Sequence, residues 1–482
     1  MVCNCAVKRG LIKVQSRLSV SVVAILLVAG SPLLAAPTHE PTDLLPHPML
    51  GSEPAIELPD PRPAPKPLPA KPPIMKPIVV PPPIVQPPAP PPIIVAVAPV
   101  TWSAADATQL LSVIDGIGTR GLISADYEAD ALRAALIAGE GAPLNEIASR
   151  AFVKLAVDLR DGRTPYKSRV QWFIRDPDAD AMPSASLLQQ AVSNHDVEAT
   201  LTSVEPTHPD YAALKVALAK TPATDSARLA VIRTNLDRWR WLPRDLGARY
   251  VAVNVPEYMV RVVNNGRNIE SYRAIVGKPT SATPQLAEVA TGIIFHPTWT
   301  IPQSIIKESV GAMVASRPAV AKARGYRWTG SGASLSVVQA PGPGNSLGVM
   351  KVDMPNPHAI FLHDTPARGL FERPDRALSH GCIRTDRAME FGILMAILQA
   401  GTDSKQAAEI IKAGENTRIP FTTPIPVYIA YFTLASGGDG KLAPFADIYG
   451  RDTAVVASFA KPRAEKILVA PQPIIANDAP GT

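Results

Sequence analysis

Between Pro37 and Pro99 the chain places 23 of its 52 prolines, in runs such as PRPAPKPLPAKPP and PPPIVQPPAPPP. Proline fixes φ and lacks an amide donor, so neither a helix nor an inner strand can run through such a stretch. The segment, taken as residues 37–100, reads as a disordered, low-complexity linker in polyproline II form. At roughly 3.1 Å per residue its full extension is on the order of 190 Å. Its runs IVVPPPIV and PPIIVAVAPV are more apolar than a plain spacer requires. The linker divides the chain into a short leading segment and a large trailing part that must hold any folded core.

The leading segment, residues 1–36, has the pattern of an export signal. Lys8, Arg9, Lys13 and Arg17 precede the apolar run Leu18 to Ala36, which Gly30, Ser31 and Pro32 interrupt near its end. This suits a cleaved signal peptide or an uncleaved membrane anchor, and both leave the trailing part outside the cytoplasm. The net charge of +6 is spread out, without a Lys/Arg block or interleaved aromatic and basic residues, so nucleic acid is a poor partner. An acidic polymer or membrane surface fits a weakly basic exported protein better.

At 482 residues the chain has room for two or three folded units. Residues 101–234 have helical periodicity. Ser103 is a suitable N-cap for a helix carrying Leu110, Leu111, Ile114 and Ile117, ended by Gly118 and Gly121. Ser124 is placed to cap a second helix, with Tyr127, Leu132 and Leu136 inward. Pro143 opens a third, which Gly162 stops. Helical segments follow at 184–193, 195–204, 210–220 and 225–239. His195 and His208 stand alone and read as surface or capping residues, so this region is a scaffold.

Residues 235–461 change character. YVAVNV (250–255), YMVRVVN (258–264) and the run 271–276 around Asn264-Asn265-Gly266 predict an antiparallel meander. Further strands are expected at 291–295, 349–354, 359–363 and 424–433, with a helix over 386–399. The segment 304–348 begins helically and then turns rich in Gly, Pro and single aromatics, as expected of an insertion that lids a cleft. The chain is therefore expected to be α+β: a mostly β domain, sandwich or barrel-like, behind an α-helical scaffold, with a tail at 462–482.

Chemistry concentrates in Ile360 to Ala388, IFLHDTPARGLFERPDRALSHGCIRTDRA. Exported proteins usually use cysteines in pairs. Here Cys3 and Cys5 precede the apolar run, and Cys382 is the one thiol after it. Beside it stand His363, His380 and Arg384, groups that can lower a thiol's pKa and make it a nucleophile. Gly381 lets the backbone bend tightly next to the sulfur. One thiol without a second cysteine or an HxxxH pair argues against zinc. His296 and His358 read as strand-end residues, Asp353 and Asp375 as turn or ion-pair carboxylates.

His363, fifteen residues, then Ser379-His380-Gly381-Cys382 and Arg384 resembles the active-site signature of the L,D-transpeptidases, the YkuD domain family of bacterial cell walls. FLHDTP, GLFERPDRALSHGCIR, PTWTIPQSI, GNSLGVMKVDMPNP and LDRWRWLP extend the resemblance to the large periplasmic Gram-negative members. It implies Cys382 as nucleophile and His363 as general base and acid, oriented by the backbone carbonyl of Asp364. It also implies an oxyanion hole from backbone N–H groups around Gly381 and Cys382. Arg384, His380, Ser379, Trp299 and Phe361 become substrate-side residues, with Phe361 where close relatives carry tyrosine. The implied reaction transfers a tetrapeptide stem from D-Ala to the side-chain amine of a second stem, giving 3→3 cross-links. Water as acceptor would make a carboxypeptidase. No cofactor or metal is implied; the partners are peptidoglycan stems, and the inner membrane through the N-terminal segment. Carbapenems are expected to acylate Cys382. The short interval Pro206 to Thr224 leaves no room for the peptidoglycan-binding module of longer relatives. A reading of another class is a membrane-tethered wall-binding scaffold without turnover.

Overall fold

The computed structural model describes residues 100–174 and 178–464. The export segment and the proline-rich linker expected ahead of Val100 lie outside them, as does the tail beyond Ala464. Among the described residues no helix is long and apolar enough to cross a membrane.

The helical region starts with α1 (Ala104–Asp115), where Ser103 Oγ accepts the Asp106 N–H at 3.1 Å. Its inward residues Leu110, Val113 and Ile114 are buried. The helix closes at Gly116, earlier than the glycines at 118 and 121 suggest, and continues as a 3-10 turn. Ser124 also opens only a 3-10 turn, because Glu128 adopts φ +57° and breaks the path before α2 (Ala129–Ala138). The cause is tertiary. Tyr127 is fully buried with its hydroxyl on Asp158 Oδ2 at 3.0 Å, and Glu128 turns outward to Arg150 and Lys154, both at 2.7 Å. These contacts outweigh a helix propensity worth tenths of a kcal/mol per residue.

Pro143 sits in the first turn of α3 (Ala142–Asp161), which ends at Gly162. There φ is +78° and an added Cβ would lie 2.4 Å from Trp241 Nε1, so only glycine fits. Short helices α4 (Asp178–Ala181), α5 (Ser184–Ser193) and α6 (Val197–Ser203) complete a core built on Trp102, Leu110, Phe152, Leu155 and Leu201. Burying one such side chain contributes roughly 1.5–3 kcal/mol. His195 is largely exposed beside Asp106, whereas His208 caps α7 (Pro209–Lys220) by accepting the Asp210 N–H at 3.1 Å.

The eighth helix, α8 (Ser226–Trp239), joins this region to the next. Asn235 exchanges two hydrogen bonds with Thr433, at 3.0 and 2.9 Å, and Arg238 pairs with Asp452 at 2.6 Å. Buried Asp237 accepts the N–H groups of Arg163, Thr164 and Trp241 at 2.7, 3.0 and 3.1 Å. The Trp239 ring lies between His208 at 4.1 Å and Phe432 at 4.5 Å.

The strands begin with the expected meander: β1 (Arg249–Asn254), β2 (Met259–Asn264) and β3 (Arg267–Gly277), turning at Asn265 and Gly266, both at positive φ. β4 (Leu286–Phe295) follows. Then comes the insertion: β5 (Trp299–Thr300), α9 (Gln303–Ile305), a π-turn over Ile306–Val310, α10 (Gly311–Ser316), α11 (Pro318–Ala323), β6 (Tyr326–Thr329) and β7 (Ser336–Gln339). It has its own three-stranded sheet, β5-β7-β6, and its own small core of Ile301, Ile306, Val310, Val314 and Val337. The chain returns through β8 (Met350–Asp353), β9 (Leu362–His363), β10 (Ala377–Ser379), β11 (Ile383–Thr385), α12 (Ala388–Ala400) and α13 (Ser404–Ala413). It ends with β12 (Thr417–Ala430), β13 (Leu434–Ser436), β14 (Leu442–Pro444) and α14 (Asp452–Phe459).

The main sheet has the order β10-β3-β11-β9-β8-β4-β12-β1-β2, and β2 pairs back onto β3, so the sheet closes into a barrel. The pairs β1–β12, β3–β10 and β9–β11 are parallel. Inside lie Val251, Val260, Ile293, Phe295, Leu362, Ile383 and Ile429, with Phe391 and Met395 of α12 packed among them. The last strand is longer than 424–433 suggests at its front. β12 starts at Thr417 and passes Pro420 and Pro424 through a register shift, where β4 alone is its partner. Prolines are tolerated there because no second neighbour needs their missing donors. The chain is α+β, a mostly-sheet domain C-terminal to a helical scaffold.

Candidate active site

In the parallel pair β9–β11, Leu362 stands opposite Ile383 and His363 opposite Arg384. Registered neighbours face the same side, and successive residues alternate. Leu362 and Ile383 are fully buried in the barrel, so His363 and Arg384 face away from it. One residue earlier Phe361 and Cys382 continue that outer face, the Ile383 N–H donating to Phe361 O at 2.9 Å. On the other side β8 pairs Lys351 with His363, while Met350 and Val352 enter the core. Lys351, Phe361, His363, Cys382 and Arg384 thus share one face of three short strands.

The loop before Cys382 is locked from within. Gly381 has φ +121°, a conformation open to glycine and strained for other residues. Its N–H donates to Ser379 Oγ at 3.1 Å, Ser379 Oγ donates to Cys382 O at 2.6 Å, and Thr283 Oγ1 donates to Gly381 O at 2.7 Å. Ser379 was expected on the substrate side. It is buried with its hydroxyl turned into this loop, so it shapes the turn instead. The Gly381 N–H, expected in an oxyanion hole, is already engaged by that same hydroxyl.

His363 is buried, and its Nδ1 lies 2.5 Å from Asp364 O. A carbonyl only accepts, so Nδ1 carries the proton and Nε2 is the unprotonated nitrogen of the neutral ring. Burial, reinforced by the positive charge of Arg384, holds the imidazole down to about 3; the carbonyls of Asp364 and Leu347 pull the other way. Asp364 is fixed in turn: its carboxylate accepts the Val349 N–H at 2.9 Å and Arg368 Nη2 at 3.0 Å, and Gly348 packs directly against it.

The Cys382 sulfur points toward Ala359 O at 3.6 Å. Burial pushes its pKa above the ordinary thiol value; the Phe361 N–H and the charges of Lys351 and Arg384 pull it down. A lowered pKa was expected from the neighbouring histidines. The structure differs because His363 is neutral and His380 points to another partner. His380 Nε2 lies 3.1 Å from Glu308 Oε2 on the insertion, with Lys278 3.8 Å from the same carboxylate's Oε1.

Arg384 Nε is buried without a hydrogen-bond partner. Burial pushes the guanidinium down, and Cys382 pulls it up. Phe361 lies under Lys351, with Nζ 3.7 Å from the ring centroid. Trp299 belongs to the insertion's sheet, opposite Gln339, and packs on the insertion's own core. Asp353 pairs with Arg418 at 2.6 Å, and Asp375 accepts the Tyr258 hydroxyl at 2.9 Å. Among the described residues no cluster of three His, Cys, Asp or Glu side chains is placed to hold a metal.

Lys351 was missed from the sequence. Its signal was the pattern V-M-K-V-D, a lone cation between two core positions of a strand. Such a residue must face something other than the core, and here that is the Cys382 face.

Residues 248–419 match the model of the YkuD L,D-transpeptidase catalytic domain, and residues 99–218 match that of a scaffold domain. A Haemophilus influenzae protein provisionally described as an L,D-transpeptidase is 28% identical over 219 residues. That match takes in 42% of this chain and 44% of the relative, so the chain spans under half of that relative's length. Among solved structures, the L,D-transpeptidase from Mycobacterium smegmatis shares 12% identity over 38% of this chain and 58% of its own, at a TM-score of 0.20. The Mycobacterium tuberculosis L,D-transpeptidase 1 shares 14% over 38% and 61%, at 0.17. Likenesses this slight transfer no geometry.

Proposed function

We propose that this chain, which carries a YkuD-type L,D-transpeptidase catalytic domain behind a helical scaffold domain, is a peptidoglycan L,D-transpeptidase with Cys382 as nucleophile. The observation that carries this is the placement of His363 and Cys382 on one face of adjacent strands, with Nδ1 of the histidine tied to Asp364 O. That tie leaves Nε2 as the unprotonated nitrogen, which in this reading takes the thiol proton and later returns it.

The reaction runs in two acyl transfers. Cys382 passes its proton to His363, and the sulfur attacks the carbonyl of the third stem residue. The oxyanion is met by the Cys382 N–H, and by the Gly381 N–H once Ser379 Oγ shares it. His363 protonates the departing D-Ala amine, leaving a thioester. The side-chain amine of a second stem then attacks, yielding a 3→3 cross-link and the free thiol. Arg384, with a buried Nε lacking a partner, is suited to a stem carboxylate. Export by the N-terminal apolar run would place this chemistry in the periplasm, with the inner membrane as anchor where the run is retained. The reading also implies acylation of Cys382 by carbapenems.

The test is intact-mass analysis of the full chain and a Cys382→Ala control after incubation with a disaccharide-tetrapeptide. Dimers cross-linked 3→3, made by the wild type alone, support transpeptidation. Tripeptide alone makes the protein a carboxypeptidase on this substrate. Neither product, with no carbapenem adduct on Cys382, would overturn the reading in favour of a wall-binding scaffold.

A further inference from the structure

The Cys382 face holds two cations, and the acid in line with them, Asp353 two residues along β8, is drawn to Arg418 at 2.6 Å. Lys351 and His363 are registered neighbours across β8–β9, and His363 and Arg384 are registered neighbours across β9–β11. The Lys351 ammonium is fixed by docking 3.7 Å above the Phe361 ring, and Phe361 precedes the registered pair Leu362–Ile383 just as Cys382 does. Among the described residues no carboxylate comes within ion-pair distance of Lys351 or Arg384. The nearby titratable groups have partners elsewhere: Asp353 with Arg418 at 2.6 Å, Asp364 with Arg368 at 3.0 Å, and His380 with Glu308 at 3.1 Å. Lys351 feels the Asp353 carboxylate first and the Cys382 sulfur second, while Arg384 feels the sulfur, which is the group beside both partly buried cations able to become an anion.

We propose that Lys351 is a positioning residue for the nucleophile, a fixed ammonium that holds negative charge on the Cys382 sulfur through its seat on Phe361. This rests on Cys382 being the nucleophile. In the proton transfer the S–H bond breaks, the proton moves to Nε2 of His363, and the electron pair stays on sulfur. A cation near both groups favours the thiolate and disfavours the imidazolium. Lys351 therefore eases loss of the thiol proton to solvent, opposes itself in the transfer to His363, and makes His363 give its proton up readily to the leaving amine. Electrostatic effects on Cys382 and Lys351 run the same way: each raises the stability of the other's charged form. Phenylalanine at 361 suits this role, since an aromatic face attracts a cation without a competing proton.

The experiment is the pH profile of Cys382 alkylation by iodoacetamide in the full chain, read by mass spectrometry on the peptide containing Cys382, so that Cys3 and Cys5 do not interfere. Lys351→Met is compared with wild type and with Lys351→Arg. The expected result is a profile for Lys351→Met displaced upward by about one pH unit, which is about tenfold less thiolate at neutral pH, with Lys351→Arg close to wild type. Superimposed profiles for all three proteins would overturn the inference. Lys351→Gln repeats the comparison if the methionine variant does not fold. Failure of the functional reading is distinguishable: there, wild type forms no acyl-enzyme with tetrapeptide or carbapenem while the alkylation profiles still separate.

Discussion

His380 Nε2 and Glu308 Oε2, 3.1 Å apart, tie the loop that carries Cys382 to the π-turn of the insertion. The insertion has a core of its own, so it can move as a piece, and this pair is one of the points where it is fastened. Glu308→Gln is expected to loosen the insertion without unfolding the barrel. Hydrogen exchange of residues 303–316 should then quicken several-fold, with β4 and β12 unchanged. The His380 contact holds the Glu308 carboxyl below its usual value. A carboxyl with a depressed folded pKa stabilises above its unfolded pKa and loses that contribution as pH falls through the folded value. The fastening should therefore weaken in acid, and the variant should show the fast exchange already at neutral pH.

Gly348→Ala is expected to damage the site from behind. A Cβ there would lie 2.3 Å from Asp364 Oδ2, and φ is +62°. Asp364 must shift, and its carbonyl orients His363. Overpacking of this kind costs about 1–3 kcal/mol. Carbapenem acylation should fall sharply with only a modest drop in melting temperature, because the displaced group is the one that holds Nδ1 of His363, the base in the proposed mechanism.

The burial of neutral His363 gives stability a pH dependence with a definite sign. Its folded value of about 3 lies below the unfolded value near 6.5. Between the two the unfolded chain binds the extra proton, so stability is full above about 6.5 and falls as pH drops toward 3. At about 1.4 kcal/mol per unit the loss reaches a few kcal/mol. Urea unfolding of wild type and His363→Gln at pH 7, 5.5 and 4.5 should show the wild type losing more stability on acidification.

Asp237→Ala is expected to loosen α8 from the loop that follows α3 and so weaken the helical region. The carboxylate satisfies three N–H groups in a fully buried place. Removing it leaves those donors without a partner, at about 1–3 kcal/mol each in the unrelaxed case. Denaturation should become less cooperative, with the helical region melting first.

Much of the site was legible because its chemistry is local in sequence. His363, Gly381, Cys382 and Arg384 lie within one short stretch, and the signature fixes their spacing. The closed barrel was less legible. β9, β10 and β11 are two or three residues long, too short for alternation to show, and β10 and β11 also pair with β3, far earlier in the chain. Lys351 escaped for the same reason, since its role depends on pairing with His363 rather than on neighbours in sequence. The break at Glu128 was hidden because a buried Tyr127–Asp158 bond decides it. The raised thiol pKa could not be read either, since charge can be counted in a sequence while loss of water cannot.

The seam at β3 bears on the order in which the protein is assembled. β3 belongs to a local meander that can form as soon as its own residues are available, yet its far end also receives β10 and β11. Thr283, just beyond β3, holds Gly381 O across a separation of 98 residues. Contacts of such long range are the slow ones in folding. The thiol therefore acquires its neighbours His363, Lys351 and Arg384 and its bent loop in the closing step, and a partly folded chain carries Cys382 as an ordinary cysteine. The Cys382 face is thus complete only when the whole barrel is shut.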